Sequence, residues 1–142
     1  MTICAVFPYN PCLLRPRSLH SIKAMLAAGH DVRVVYVAER FGVDFVQSDD
    51  AAMCTEVRKV PFAGVASTLG RWLGGMSVSQ AWCGSVEAKK VIVELSAGAD
   101  VLWVEHLRGA GMLPQAVRCP VVWDAVDALG PLFAGRAGLV QN

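Results

Sequence analysis

Two short apolar runs near the end of the chain, Val101–Val104 and Val121–Trp123, constrain its fold more than any other feature. Each follows a break, Gly98-Ala99-Asp100 before the first and Cys119-Pro120 before the second. Each runs straight into charge: Glu105, His106 and Arg108 after the first, Asp124 and Asp127 after the second. Short apolar runs rich in β-branched residues, without alternation, predict strands buried on both faces, as in a parallel sheet. The segment between them, Gly109–Val117, predicts two helical turns. In open parallel sheets ligands bind outside the carboxyl ends of the strands, and there this chain concentrates its polar side chains.

The remaining elements complete that sheet. Ile3–Phe7 predicts a first buried strand, stopped by Pro8. A proline-restricted loop, Tyr9 to Pro16, leads into a helix over Arg17–Ala28, with Leu19, Ile22, Met25 and Leu26 on one face and Gly29 after its end. Asp31–Ala38 predicts a second strand, so the three elements form a right-handed βαβ unit. A short helix is expected around Gly42–Val46, followed by a loop through Ser48-Asp49-Asp50. Glu56–Val60 alternates and predicts an edge strand. Val65–Leu73 and Val78–Ser96 predict two helices split by Gly74-Gly75, the second capped by Ser77 or Ser79. Pro131, Gly135 and Gly138 make the tail a poor helix.

Five strands with helical connections predict an α/β, three-layer Rossmann-like domain, residues 1–142, with a parallel sheet in the order 3-2-1-4-5. The switch point then falls between the first and fourth strands. There the loop at 8–17 would face the cluster at 105–108.

Composition removes several classes. A formal net charge of +1 gives no electrostatic case for nucleic acid. Hydrophobic residues make up 54% and charged residues 18%, which argues against disorder and for a surface part of which another domain or a membrane covers. No apolar run reaches bilayer-spanning length, and the opening residues lack a basic n-region, so a cytoplasmic protein is expected. The five cysteines are scattered, with no CxxC. They read as reduced thiols, with Cys4 and Cys119 in the core, and no Cys or His pair has zinc-ligand spacing. GxGxxG, a P-loop and GxSxG are all missing, and Cys12 near His20 has no supporting motif for a reactive thiol.

Four pieces of the chain resemble, in order and spacing, the N-terminal domain of GT-B glycosyltransferases of the retaining family-4 type. FPYNP is similar to their proline-containing acceptor loop, and RPRSLHSIKAMLAAGHDVRVV to their first helix and second strand. ADVLWVEHLRGAGMLP is similar to their fourth-strand segment. CPVVWDAVDALGPLF is similar to their fifth strand and the D-x-x-D turn after it. The first loop, NPCLLRPR, departs from the family by carrying no glycine where many members place a glycine pair at the donor phosphates. The resemblance implies transfer of a sugar from a nucleotide-sugar donor to a sugar, lipid-linked or small-molecule hydroxyl acceptor, without a bound metal or other cofactor. It also implies a C-terminal donor-binding domain as partner, without which this half is inactive.

The candidate residues follow. Glu105, His106 and Asp124 are candidates for orienting the reacting hydroxyl, with only one of Glu105 and His106 expected to face the cleft. The alternative for Glu105 is a surface pair with Arg108. Arg108 would hold an anionic acceptor or bridge to Glu105 or Asp124. Tyr9 and Asn10 would hydrogen-bond the acceptor. Arg15 and Arg17 would flank an anion at the helix start or stand solvated. Asp127 would bind acceptor or cap a turn. His20 and His30 read as structural or surface residues. Trp72 and Trp82, with Leu69, Leu73, Met76 and Val78, would form a membrane-facing or interdomain patch near Arg58, Lys59 and Arg71. Core packing is the ordinary expectation for at least one of these tryptophans. A different reading of the whole chain is a non-enzymatic Rossmann-like module that pairs with another chain or itself.

Overall fold

A computed structural model describes residues 1–39 and 44–125. The expected helix at Gly42–Val46 falls partly outside the described residues. Asp127 and the tail from Ala128 lie outside them entirely.

The five strands are β1 (Thr2–Phe7), β2 (Asp31–Val37), β3 (Glu56–Val60), β4 (Val101–Glu105) and β5 (Val121–Asp124). They form one all-parallel sheet in the order β3-β2-β1-β4-β5. Helices lie on both faces, giving the three-layer Rossmann-like architecture. Alternate residues of each strand feed opposite layers. Cys4, Val6, Val35, Leu102 and Val104 pack against α5 (Val86–Leu95) through Ala88, Ile92 and Leu95. Ala5, Phe7, Val32, Val34 and Tyr36 pack on the other side against Leu19 and Ile22 of α1 (Pro16–Ala27). Pro16 opens α1 and Gly29 leaves it at φ +74°, a conformation glycine takes at little cost.

Several elements differ from the sequence expectation. Phe45–Gln47 forms a 3-10 turn, and Ser48 caps a single turn of helix, α2 (Asp49–Ala52), where a loop was expected. The segment Val78–Ser96 is not one helix. It breaks into α4 (Val78–Cys83) and α5 at Gly84, because the chain there presses against Gly111. A Cβ at Gly84 would lie 2.1 Å from the Gly111 carbonyl oxygen. Each piece has its own cap. Ser77 forms a capping box with Gln80, and the Ser85 hydroxyl accepts from the Ala88 N–H at 3.0 Å. The helix expected over Gly109–Val117 starts earlier and is shorter, as α6 (His106–Ala110). Its early start follows from His106, which takes φ +64° directly after β4 and turns the chain at once.

Three burial expectations are corrected. β5 is the outermost strand in the described sheet, so Val121, Val122 and Trp123 keep 43–48% of their surface exposed and are not buried on both faces. Cys4 is in the core, but Cys119 is only partly buried. Neither Trp72 nor Trp82 is a core residue: the helix α3 (Val65–Leu73) that carries Trp72 packs chiefly on α4, α4 packs in turn on α6, and both rings are left exposed.

Candidate functional site

The carboxyl ends of β1 and β4 converge on one carboxylate. Glu105 is completely buried. Its Oε1 accepts a hydrogen bond from the Tyr9 hydroxyl at 2.7 Å and another from Ser18 Oγ at 3.1 Å. Its Oε2 has no hydrogen-bond partner among the described residues. A buried carboxylate costs several kcal/mol unless its surroundings compensate it. Here two hydroxyls do so, together with the start of α1. That helix has no side-chain cap and no acidic residue in its first turn. Glu105, bound to Ser18 in that turn, supplies the anion its positive end favours. The Glu105–Arg108 surface pair entertained from sequence is therefore not formed.

Tyr9 is the hinge of the cluster. Burial, and then the hydrogen bond to Glu105, pushes its phenol up to about 12, so it stays a neutral donor at physiological pH. The Arg15 guanidinium lies over its ring, 4.7 Å from the centroid, and the His106 ring meets it edge-on at 6.5 Å. Arg15 also reaches Glu39 at 3.4 Å. His106 is half-buried and holds a strained left-handed backbone, as residues at functional strand ends often do. Its Nδ1 accepts from the Arg108 N–H at 3.2 Å.

Beside this cluster Arg17 grips Asp124 in a fork, with Nη2 to Oδ1 at 2.7 Å and Nε to Oδ2 at 3.2 Å. The hydrogen bond to Asp124 raises the Arg17 pKa further above its ordinary value. Glu105 and Asp124 are register partners across β4 and β5. Asn10 belongs to the framework: it is buried, and its Oδ1 accepts from the Phe45 N–H at 2.8 Å, tying the first loop to the 3-10 turn.

The sheet's carboxyl edge opens into a cleft of about 570 Å³ lined by Pro8, Glu39, Phe62, Trp82, Cys83 and Arg108. A more apolar extension of about 640 Å³ shares Glu39, Phe62 and Trp82 and runs along Ala63 to Val65. Phe62 and Trp82 stand with ring centroids 5.6 Å apart. Arg108 is exposed and forms no ion pair among the described residues. Glu105 lines neither space. Chemically, then, the edge offers an available cation, a half-exposed imidazole, an aromatic wall and a buried acceptor behind Tyr9. Among the described residues no group of His, Cys, Asp or Glu could hold a metal ion.

The sequence candidates thus separate. Glu105, Tyr9, His106 and Arg15 meet in one cluster, Arg17 and Asp124 pair at its flank, and Arg108 stands in the cleft. Asn10 is structural, and Asp127 lies outside the described residues. Ser18, Glu39 and Phe62 were missed. Glu39 had a signal: it is the charge that follows the second strand, the same pattern that singled out Glu105 and Asp124. Ser18 had none, because its partner lies 87 positions away in sequence. Compared with family models, curated proteins and solved structures, the chain matches none of them.

Proposed function

We propose that this chain is the acceptor-binding N-terminal domain of a GT-B glycosyltransferase. It would hold a hydroxyl acceptor while a C-terminal domain presents the nucleotide-sugar donor. The observation that carries the reading is Glu105, a fully buried carboxylate at the switch point of the sheet whose second oxygen has no partner among the described residues. Such a group is costly to keep unless its surroundings compensate it. In this reading Glu105 orients the acceptor hydroxyl through Tyr9, His106 receives or holds its proton, and Arg108 binds an anionic group of the acceptor. Asp124 holds Arg17 at the flank of the cluster.

A thermal-shift panel tests it. Monosaccharides, cyclic polyols and glycerol phosphate are expected to raise the Tm, and Glu105→Gln is expected to abolish the rise. Nucleotide diphosphates are expected to give little. The reverse pattern, nucleotide binding without acceptor binding, would overturn the assignment. Reading the coding sequence beyond Asn142 gives an independent check, since a second α/β domain is expected there. The other reading, an interaction module that pairs with another chain or itself, is favoured by the exposed apolar outer strand β5. Sheet-edge dimerisation without any small-ligand response would support it.

A further inference from the structure

The cleft at the carboxyl edge of the sheet carries one charge of each sign. Arg108 is exposed and lines its first part only, and no carboxylate among the described residues bridges to it. Glu39 lines both the first part and the apolar extension, so it stands where the two meet. Its pairing with Arg15 is incomplete. Arg15 reaches Oε1 alone, at 3.4 Å, and the Glu39 side chain stays 23% exposed. Its Oε2 has no hydrogen-bond partner among the described residues. Phe62 and Trp82 share that junction, with their rings tilted by 39°. The Cys83 thiol on the same wall senses both charges: burial pushes it up to about 11, while Arg108 draws it down and Glu39 up. The cation and the carboxylate therefore lie within electrostatic reach of one point. Beyond the junction the extension runs along Pro61, Ala63 and Val65 with no further charge.

This order along the cleft excludes simpler ligands. A plain anion on Arg108 meets Glu39 as a like charge in a partly desolvated space. A neutral ligand takes water from both charges and gives neither a counter-charge. An ammonium at Glu39 satisfies the carboxylate and is favoured by the two aromatic rings beside it. We propose that the cleft binds a small zwitterion with an apolar arm, of the class of the apolar and aromatic amino acids. Its carboxylate lies on Arg108, its ammonium at Glu39, and its side chain in the extension. Both spaces fall in the size range of small-molecule sites. The inference takes from the reading above only the anion role of Arg108. It does not use Glu105, and it holds whether or not a sugar is transferred.

Isothermal titration calorimetry of the full chain with phenylalanine tests it. Three relatives each lack one part: 3-phenylpropanoate the ammonium, phenethylamine the carboxylate, and glycine the arm. Phenylalanine is expected to bind with a Kd below about 1 mM, and each relative about tenfold or more weaker. Glu39→Gln keeps an acceptor for Arg15 and removes the charge. It is expected to weaken phenylalanine about tenfold and to strengthen 3-phenylpropanoate, so that the preference for an ammonium disappears. Arg108→Gln is expected to bring phenylalanine down to the level of phenethylamine. A folding lesion would weaken all four ligands together and leave their order intact, and the comparison on the wild-type chain needs no variant. No binding of phenylalanine, or wild-type binding of 3-phenylpropanoate as tight as phenylalanine, overturns the proposal. So does a Glu39→Gln chain that folds and keeps the preference. The polyol panel fails separately: a Glu105-dependent polyol response without phenylalanine binding overturns the zwitterion alone, and the converse overturns the acceptor reading alone.

Discussion

Replacing Tyr9 by phenylalanine removes one oxygen and tests the whole account of the buried carboxylate. The ring stays, and with it the stacking of Arg15 and the edge contact of His106. What is lost is the 2.7 Å bond to Glu105, leaving Ser18 as the one hydroxyl on a carboxylate with no exposed surface. Hydrogen bonds to charged groups contribute about 1.5–3 kcal/mol, and no cavity forms to add to that. We expect a loss of about 2 kcal/mol, or a Tm lower by roughly 4–8 °C for a chain of this size. Urea unfolding followed by circular dichroism measures it, with an unchanged slope. In a Glu105→Gln background the same substitution should cost about half as much, because the acceptor is then neutral. The alkaline limb gives a second signature. The Tyr9 phenol, ordinarily near 10, is pushed up to about 12 in the folded chain, so the native state holds that proton more tightly than the unfolded one. Its stabilising effect is whole below about pH 10 and drains away as pH climbs toward 12. The difference between wild type and Tyr9→Phe should narrow across that window. A loss under about 0.5 kcal/mol at neutral pH, or a difference that widens with pH, would refute the reasoning.

Other outcomes follow from the same geometry. His106→Val should be about 1–2 kcal/mol less stable than His106→Gly, because a β-branched residue resists the left-handed backbone that glycine accepts; equal urea midpoints would contradict the +64° torsion. Gly111→Ala should destabilise by about 3 kcal/mol, since its Cβ would lie 2.1 Å from the Gln80 carbonyl oxygen. Gly70→Ala, with nothing within 4 Å and a helical backbone, should instead raise the Tm through about 0.5–1 kcal/mol of propensity. Asn10→Ala should cost about 1–3 kcal/mol by leaving the Phe45 N–H without its acceptor, and faster hydrogen exchange at Phe45 and Val46 would report it.

The sheet was readable from the sequence because its signal is local. Four strands are short apolar runs bounded by a break and a proline or a charge, the third alternates, and right-handed crossovers leave few ways to order five such segments. Where to look for the site was equally local, since charges that end parallel strands lie on one edge. Glu105, His106 and Asp124 were singled out by that rule, and Tyr9 by its place in the loop after the first strand.

What the residues do there depended on contacts between distant parts of the chain. Nothing near Glu105 in sequence indicates that it is buried, because the hydroxyls that satisfy it come from the first loop and from α1. The break at Gly84 was invisible because its cause is Gly111. The amphipathic pattern of α3 was plain, but periodicity reports only that a helix has an apolar side. Which way that side faces is decided by what the rest of the fold offers it. In this protein the sheet is already covered by α5 and α1, and that side of α3 is left outward. Sequence determined the elements and the edge at which they end; tertiary structure decided burial, pairing and facing, because those are properties of surfaces that meet only after the chain has folded.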